Sequence, residues 1–209
     1  MKIALALIAL GLSFAATAAP TPDTIMNPTH LGKPLKSLGL GVSKESGYLT
    51  HSYNVGGCPV DVYVKNDANK TIVSLSMAAV PQCQSAKLGA VVKGNLPPLS
   101  KLTFGQLTNV LGPAHYTADC LTLCGNAANP SAYAVWPSLT AEVVLVDDPS
   151  IDASMRWEKR ITDTYGEDYV IDNKFNCTKE FDTVAAREFH NVKVSRLTLR
   201  SSNQLPECQ

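Results

Sequence analysis

Residues 48–77 read YLTHSYNVGGCPVDVYVKNDANKTIVSLSM, and this stretch decides the fold class of the chain. Apolar and polar residues alternate there in three runs, a period of two that is typical of β-strands with one buried face. Gly56-Gly57 separates the first two runs and suits a tight hairpin turn, because both residues can adopt a positive φ. The polar residues 65–70 separate the second run from the third. The pattern therefore predicts a three-stranded antiparallel meander.

Three helices are expected after the meander. Thr103 suits an N-cap for residues 104–111, which Gly112-Pro113 ends. Asp148-Pro149 predicts a helix start before apolar residues at helical spacing. A third helix is expected at residues 178–190, which have acidic residues near the amino end and an apolar stripe.

Extended segments are expected between and after these helices. They lie at residues 115–121, 132–136, 140–147, 169–171 and 192–199. Runs of strands separated by helices favour an α+β fold with antiparallel β-meanders and three packed helices over a parallel α/β fold. The segments 48–77 and 115–147 each contain an early cysteine, which suggests two tandem sub-repeats.

The first 18 residues have the features of a signal peptide. Lys2 supplies a positive charge, residues 3–14 are apolar, and Ala16-Thr17-Ala18 fits a small-x-small cleavage site. The apolar run is shorter than the ~18 residues needed to cross a bilayer, and no later stretch reaches that length. We therefore expect cleavage after Ala18, a periplasmic or secreted protein, and no transmembrane segment in the mature chain.

The mature chain is expected to begin with a lead-in to one domain. Residues 19–47 are rich in proline and glycine, which predicts an irregular, partly mobile segment. Residues 48–209 are interpreted as a single α+β domain, which the two sub-repeats would divide into sub-units 48–98 and 99–209.

Composition excludes some classes of function. The chain has 18 Lys+Arg and 18 Asp+Glu, so no excess of positive charge indicates a nucleic-acid partner. With 45% hydrophobic and 17% charged residues it can bury a core, and its composition is not that of a disordered chain.

Six cysteines lie after residue 18, and an even number in an exported chain predicts disulfides with no free thiol. Six cysteines allow 15 pairings. The simplest scheme joins nearest neighbours, namely Cys58–Cys83, Cys120–Cys124 and Cys177–Cys208. Cys120 and Cys124 can pair only if residues 120–124 turn, because a fully extended strand would hold them about 13 Å apart. Otherwise each would bond to another cysteine.

Residues 102–113, LTFGQLTNVLGP, resemble a known helix. The segment is similar to the Thr-x-x-Gln-Val-x-x-x-Leu-Gly helix of the SmpA/OmlA outer-membrane assembly lipoproteins, whose architecture the repeats of β-lactamase inhibitory proteins share. The chain departs from the lipoproteins because it lacks their lipidated cysteine and has several cysteines expected to form disulfides. The resemblance implies a helix packed on an antiparallel sheet that binds other proteins, and it implies no catalytic residue.

The sequence contains no common serine-hydrolase, zinc-protease or phosphate-loop motif. We therefore assign no catalytic residue, cofactor or metal. The first hypothesis is an exported, non-enzymatic protein that binds another macromolecule, most simply a protein, as an envelope accessory or inhibitor-type module. The alternative is a periplasmic hydrolase with a dispersed active site, for which His115, Asp119 and Glu142 are the candidates.

A binding surface is expected around the loop 124–130 and the hairpin after it. Turn-forming residues should project from the surface there, and aromatic residues with polar groups flank them. The candidate residues are Tyr116, Gly125, Asn126, Asn129, Tyr133 and Trp136. The alternative interpretation is that Tyr133 and Trp136 fill the core of the sheet.

Overall fold

An antiparallel sheet of eight strands organises the chain in the computed structural model, which describes residues 19–83, 88–89, 91, 96–118, 131–144, 151–172 and 174–201. The strands are β1 (Glu45–Ser46), β2 (Thr50–Val55), β3 (Cys58–Val64), β4 (Ile72–Ala78), β5 (His115–Ala118), β6 (Ser131–Trp136), β7 (Leu139–Val144) and β8 (Arg196–Arg200). Their order in the sheet is β1-β2-β3-β4-β8-β7-β6-β5. The last strand thus joins the amino-terminal meander to the later one.

Helices complete the α+β fold and confirm the predicted class. They are α1 (Pro22–Ile25), α2 (Phe104–Leu111), α3 (Ile151–Tyr165), α4 (Glu167–Ile171) and α5 (Lys179–Glu188), and three 3-10 turns lie at Pro28–His30, Leu35–Leu38 and Leu99–Lys101. The three long helices agree with the three that were predicted. Thr103 caps α2 in a capping box with Gln106, and Thr178 caps α5.

Strand register gives the sheet two different faces. Val60 and Val62 on β3 alternate with Asp61 and Tyr63, and the valines are fully buried. Val62 pairs with Leu75 on β4, so apolar residues share one face across the two strands. This face forms one hydrophobic core with the apolar sides of the helices.

Aromatic side chains connect the helices to the sheet. Phe189 follows α5 and lies between Phe104 of α2 and Tyr116 of β5, at ring-centroid distances of 6.3 and 6.5 Å. Trp157 of α3 contacts Phe175 and Phe181, with centroids 4.7 and 4.8 Å away. The first set of contacts holds α2 and the end of α5 against β5, and the second set packs α3 against α5.

The predicted hairpin turn and the first predicted disulfide are confirmed. Gly56 and Gly57 have φ values of 58° and 84°, as a tight hairpin turn requires. Cys58 and Cys83 are bonded, with their sulfur atoms 2.06 Å apart. Cys177 is also in a disulfide. Its partner lies outside the described residues, and so do all three cysteines that could be that partner, Cys120, Cys124 and Cys208. The second and third predicted pairs therefore remain predictions.

The outer edge of β5 is covered. The Tyr116 amide donates to the Asp182 carboxylate at 2.6 Å, and the Ala118 amide donates to the Asn176 side chain at 2.9 Å. The Cys177 amide donates to the Tyr116 carbonyl. The opposite edge strand, β1, has only two residues. Covered and very short edges both prevent pairing with a strand of another chain.

One prediction about local structure was wrong. Residues 169–171 belong to α4 rather than to a strand, because Gly166 is followed by Glu167 and Asp168, which favour a helix amino terminus. The lead-in is more ordered than expected, since α1 has a capping box formed by Thr21 and Thr24. The core includes Ile25 and Met26, which anchor the lead-in to the domain. No described helix has the length and apolar character that a membrane span requires.

Candidate functional site

The sheet face that points away from the helices is polar and forms a groove of about 470 Å³. We call it the open-face groove. It crosses the centre of the sheet and is lined by Asp61, Tyr63, Ser74, Ser76, Tyr133, Glu142, Arg196, Thr198 and Arg200. Each of these residues occupies an alternate position on its strand, opposite the apolar positions that face the helices. The same alternation that builds the core therefore builds the groove.

Arg196 of β8 is the centre of a charge network in the groove. Its guanidinium Nη1 lies 2.8 Å from the Asp61 carboxylate of β3 and donates to the Ser76 hydroxyl at 3.1 Å. Its Nε lies 3.8 Å from the Glu142 carboxylate of β7. One cation thus lies between two carboxylates from strands on either side, which fixes all three side chains in the middle of the sheet.

Hydroxyl groups extend this network on both sides. Ser52 donates to Asp61 at 2.7 Å, and Ser131 donates to Glu142 at 3.2 Å. Thr198 donates to Ser76 at 3.0 Å. Short side chains that are already hydrogen-bonded lose little entropy when a partner binds, so the floor of the groove is preorganised.

Arg200, two positions beyond Thr198 on the same face, lies in a different environment. It takes part in none of the ion pairs among the described residues, and its buried Nε has no hydrogen-bond partner there. Burial lowers the pKa of the guanidinium, while interactions with Tyr133, Tyr63 and Glu142 oppose that lowering. Arginine still stays protonated, so the groove contains one charged group that is outside the ion pairs of the described residues.

Three of the six predicted binding residues can be located, and two of them do not reach the surface. Tyr116 and Trp136 are only 2% and 5% exposed and belong to the core. The Trp136 indole N–H donates to the Gly112 carbonyl at 3.0 Å, so its polar group is satisfied internally. The expectation that these two rings form a binding surface is therefore wrong. Tyr133 does face outward, because it lies on the opposite side of β6 and lines the groove. Gly125, Asn126 and Asn129 lie outside the described residues.

The residues considered for catalysis are not assembled into one site. The His115 ring Nδ1 is 2.8 Å from Asp182, at the edge of the sheet. Glu142 is part of the groove network, and among the described residues no hydrogen bond joins it to His115. Asp119 lies outside the described residues. Within the described part of the chain, no group of three His, Cys, Asp or Glu side chains could hold a metal ion.

Sequence reasoning missed most of the groove. Asp61 alternates with three valines, and Arg196 and Arg200 alternate with leucines, so the pattern does place them opposite the core. The pattern does not place them together, because Asp61 and Arg196 are 135 residues apart in the chain.

The chain matches no protein-family model, no curated protein and no solved structure. The groove and the features of the sequence are therefore the basis for assigning a function.

Proposed function

We propose that this chain is an exported, non-enzymatic binding protein that holds another protein in the open-face groove. The observation that carries the proposal is the character of this sheet face. Five central strands contribute a continuous set of charged, hydroxyl and tyrosine side chains to it. Tyrosine and arginine are enriched at protein interfaces, where they supply contact area and directional hydrogen bonds.

The edges of the sheet also support binding through the face. A partner that added a strand would need a free edge with unpaired backbone groups. At β5 these groups are bonded to Asp182, Asn176 and Cys177, and β1 is only two residues long. These edges therefore offer little backbone for strand addition, and the open face offers side chains instead.

Two sequence features agree with this proposal. The features of residues 1–18 favour export, and disulfides such as Cys58–Cys83 suit an oxidising compartment. The resemblance of residues 102–113 implies a protein-binding module with a helix on an antiparallel sheet. In this chain α2 buries Phe104 and Leu107 in the core, against the face opposite the groove.

Photocrosslinking from two matched tyrosines tests the proposal. Tyr63 lies in the groove and is 38% exposed, whereas Tyr165 ends α3 and is 44% exposed. Each tyrosine is replaced in turn by p-benzoylphenylalanine in the full chain. Each variant is then expressed in the source cells, and the cells are irradiated. We expect a discrete protein adduct from position 63 and none from position 165. Adducts at neither site, at 165 alone, or equally at both contradict the proposal.

The crosslinked protein is then identified, purified and used in a binding assay. Tyr63→Ala should weaken its affinity at least about tenfold, as expected for an interface hot spot, with an unchanged melting temperature. Tyr165→Ala is the control and should leave the affinity unchanged. Equal affinity of the Tyr63→Ala variant and the wild type would show that the groove is not the interface.

A further inference from the structure

The geometry points to a carboxylate subsite at Arg200, and we propose that the open-face groove recognises the side chain of an Asp or Glu residue on the bound protein. This inference depends on the proposed function and specifies the chemistry of the partner at one position. It starts from a difference between two arginines on the same face of the same strand.

Arg196 and Arg200 are four residues apart on β8, so both point into the groove. Arg196 is satisfied by Asp61, Glu142 and Ser76. Arg200 has no ion-pair partner among the described residues, although its Nε is buried. Burying even one N–H donor of a guanidinium without an acceptor is unfavourable. A carboxylate on a partner would offset this cost through its charge, which acts on the whole delocalised guanidinium.

The surroundings of Arg200 suit a planar anion with two acceptor oxygens. Thr140 on β7 pairs with Thr198, so it is a diagonal neighbour of Arg200, and its hydroxyl is buried without a partner among the described residues. Tyr63 and Tyr133 line the groove on either side of β8. A carboxylate can accept two parallel bonds from a guanidinium and further bonds from hydroxyl donors.

The charged side chains of the groove sum to zero, so the size of an incoming negative charge matters. Asp61 and Glu142 contribute two negative charges, and Arg196 and Arg200 contribute two positive charges. Arg196 lies against both carboxylates, whereas Arg200 takes part in no ion pair among the described residues, so Arg200 is the cation that an incoming anion would contact. A phosphate, with nearly two negative charges, would leave excess negative charge beside Glu142. A carboxylate adds only one negative charge, so it is repelled less by Asp61 and Glu142 than a phosphate would be.

A side chain fits this position better than a chain terminus. The groove crosses five adjacent strands in the middle of the sheet, with lining residues on both sides of β8. A folded partner can lay a surface across such a face and present an acidic side chain at its centre. The proposal therefore commits to Asp or Glu within a protein surface.

Three short peptides test the subsite without a known partner. The probes are acetyl-Gly-Glu-Gly-amide, acetyl-Gly-Gln-Gly-amide and acetyl-Gly-Gly with a free carboxyl terminus, each titrated into the full ¹⁵N-labelled chain at constant ionic strength. The readout is the arginine Nε–Hε signals, which are few because the sequence has five arginines. Signals are assigned from the Arg200→Gln and Arg160→Gln variants.

We expect the Arg200 signal to shift and saturate with the glutamate peptide, with a Kd on the order of 1–10 mM, as befits one charged contact. The glutamine peptide should have no effect. The glutamate peptide should also shift backbone amide signals around β8 in the wild type. These shifts should be absent in Arg200→Gln and present in the control variant Arg160→Gln, whose substitution lies on α3. Arg200→Lys should bind more weakly than the wild type, because an ammonium lacks the planar fork.

Other results would overturn the inference. Equal shifts with the glutamine peptide, or shifts that survive in Arg200→Gln, would show that Arg200 is not a carboxylate subsite. Tighter binding of the free-terminus peptide would assign the subsite to a chain terminus instead of a side chain. If the peptide titration fails but position 63 gives a protein adduct, the carboxylate subsite is rejected and the proposed function stands. If the titration succeeds but position 63 gives no adduct, the proposed function is rejected.

Discussion

At the scale of single residues, the protein places charged groups in very different environments. His51 is on the core-facing side of β2 and is 5% exposed, with the Lys70 ammonium 3.2 Å from its Nε2. Arg196 and Arg200 share the opposite face but differ in whether counterions surround them. Such differences produce effects on stability that can be measured one residue at a time.

Stability should decrease as the pH falls from 7 to 5 because of His51. Burial and the charge of Lys70 lower the pKa of this ring below its usual 6.5. The unfolded chain therefore takes up a proton near pH 6.5 that the folded chain binds only at lower pH. The stabilisation that His51 contributes is fully present above pH 6.5. Below that pH the free energy of unfolding decreases by no more than about 1.4 kcal/mol per pH unit. Urea unfolding at several pH values measures the slope.

Two variants examine this assignment. His51→Gln removes the titrating group, and Lys70→Gln removes the neighbouring charge, so both should reduce the loss of stability between pH 7 and 5. A slope in His51→Gln equal to that of the wild type would show that other groups cause the pH dependence.

Arg196→Gln and Arg200→Gln should affect stability differently although the substitution is the same. Loss of Arg196 leaves Asp61 and Glu142 without their shared counterion, which should cost about 1–2 kcal/mol because the groups are partly screened by solvent. Loss of Arg200 breaks no ion pair among the described residues, so the free energy of unfolding should change by less than about 0.5 kcal/mol. Equal costs in urea unfolding would mean that the Arg196 network does not stabilise the fold.

At the scale of elements, the turn between β2 and β3 shows how one contact fixes a hairpin. Gly57 has a φ of 84°, and a Cβ at this position would lie 2.8 Å from the Gln82 carbonyl oxygen. Its amide donates to the Asn54 side chain at 3.0 Å. Gln82 precedes Cys83, so the disulfide brings this carbonyl to the turn.

Gly57→Ala should be more destabilising than Gly39→Ala. Gly39 also has a positive φ, 63°, but a Cβ there would contact nothing within 4 Å. Both substitutions incur a backbone cost of about 1–2 kcal/mol, and only Gly57→Ala adds the clash with a backbone carbonyl. Urea unfolding should give a difference of at least about 1 kcal/mol between the two variants. If the costs are equal, the segment at Gln82 moves freely away from the turn.

At the scale of the whole molecule, a disulfide fastens the amino-terminal meander and non-local strand pairing joins this meander to the later one. The Cys58–Cys83 disulfide closes a loop across 25 residues, linking the start of β3 to the chain that follows β4. β4 also pairs with β8 on its other side. This pairing brings together residues that are far apart in the chain, such as Ser76 and Thr198, which are separated by 122 positions. The groove exists only when this central pairing has formed.

Removal of this disulfide should destabilise the protein without changing its fold. Cys58→Ala/Cys83→Ala should lower the free energy of unfolding by about 3 kcal/mol, because the unfolded chain gains the freedom of an open loop. Urea unfolding measures the loss, and far-ultraviolet circular dichroism should stay unchanged at 25 °C. Thiol labelling of the unfolded wild type should detect no free Cys58 or Cys83. An unchanged unfolding midpoint in the double variant would contradict this account.

The sequence alone determined the local structure of this protein. Alternation in residues 48–77 specified strands, Gly56-Gly57 specified their turn, and Thr103 specified the start of α2, because these signals act over a few residues. A short segment such as residues 169–171 is ambiguous between helix and strand, and its neighbours decided the outcome. Nearest-neighbour pairing was correct for Cys58–Cys83, where the intervening strand returns the chain to the same end of the sheet.

Only the tertiary structure decided which residues form the candidate site. A period of two shows which residues share a face of one strand but not which strands are neighbours. Asp61 and Arg196 became partners because β8 inserts between β4 and β7. The same arrangement buried Tyr116 and Trp136, which had been expected on a binding surface, and left Arg200 outside the ion pairs of the described residues. Burial and charge pairing depend on such distant neighbours, and no local pattern contains them.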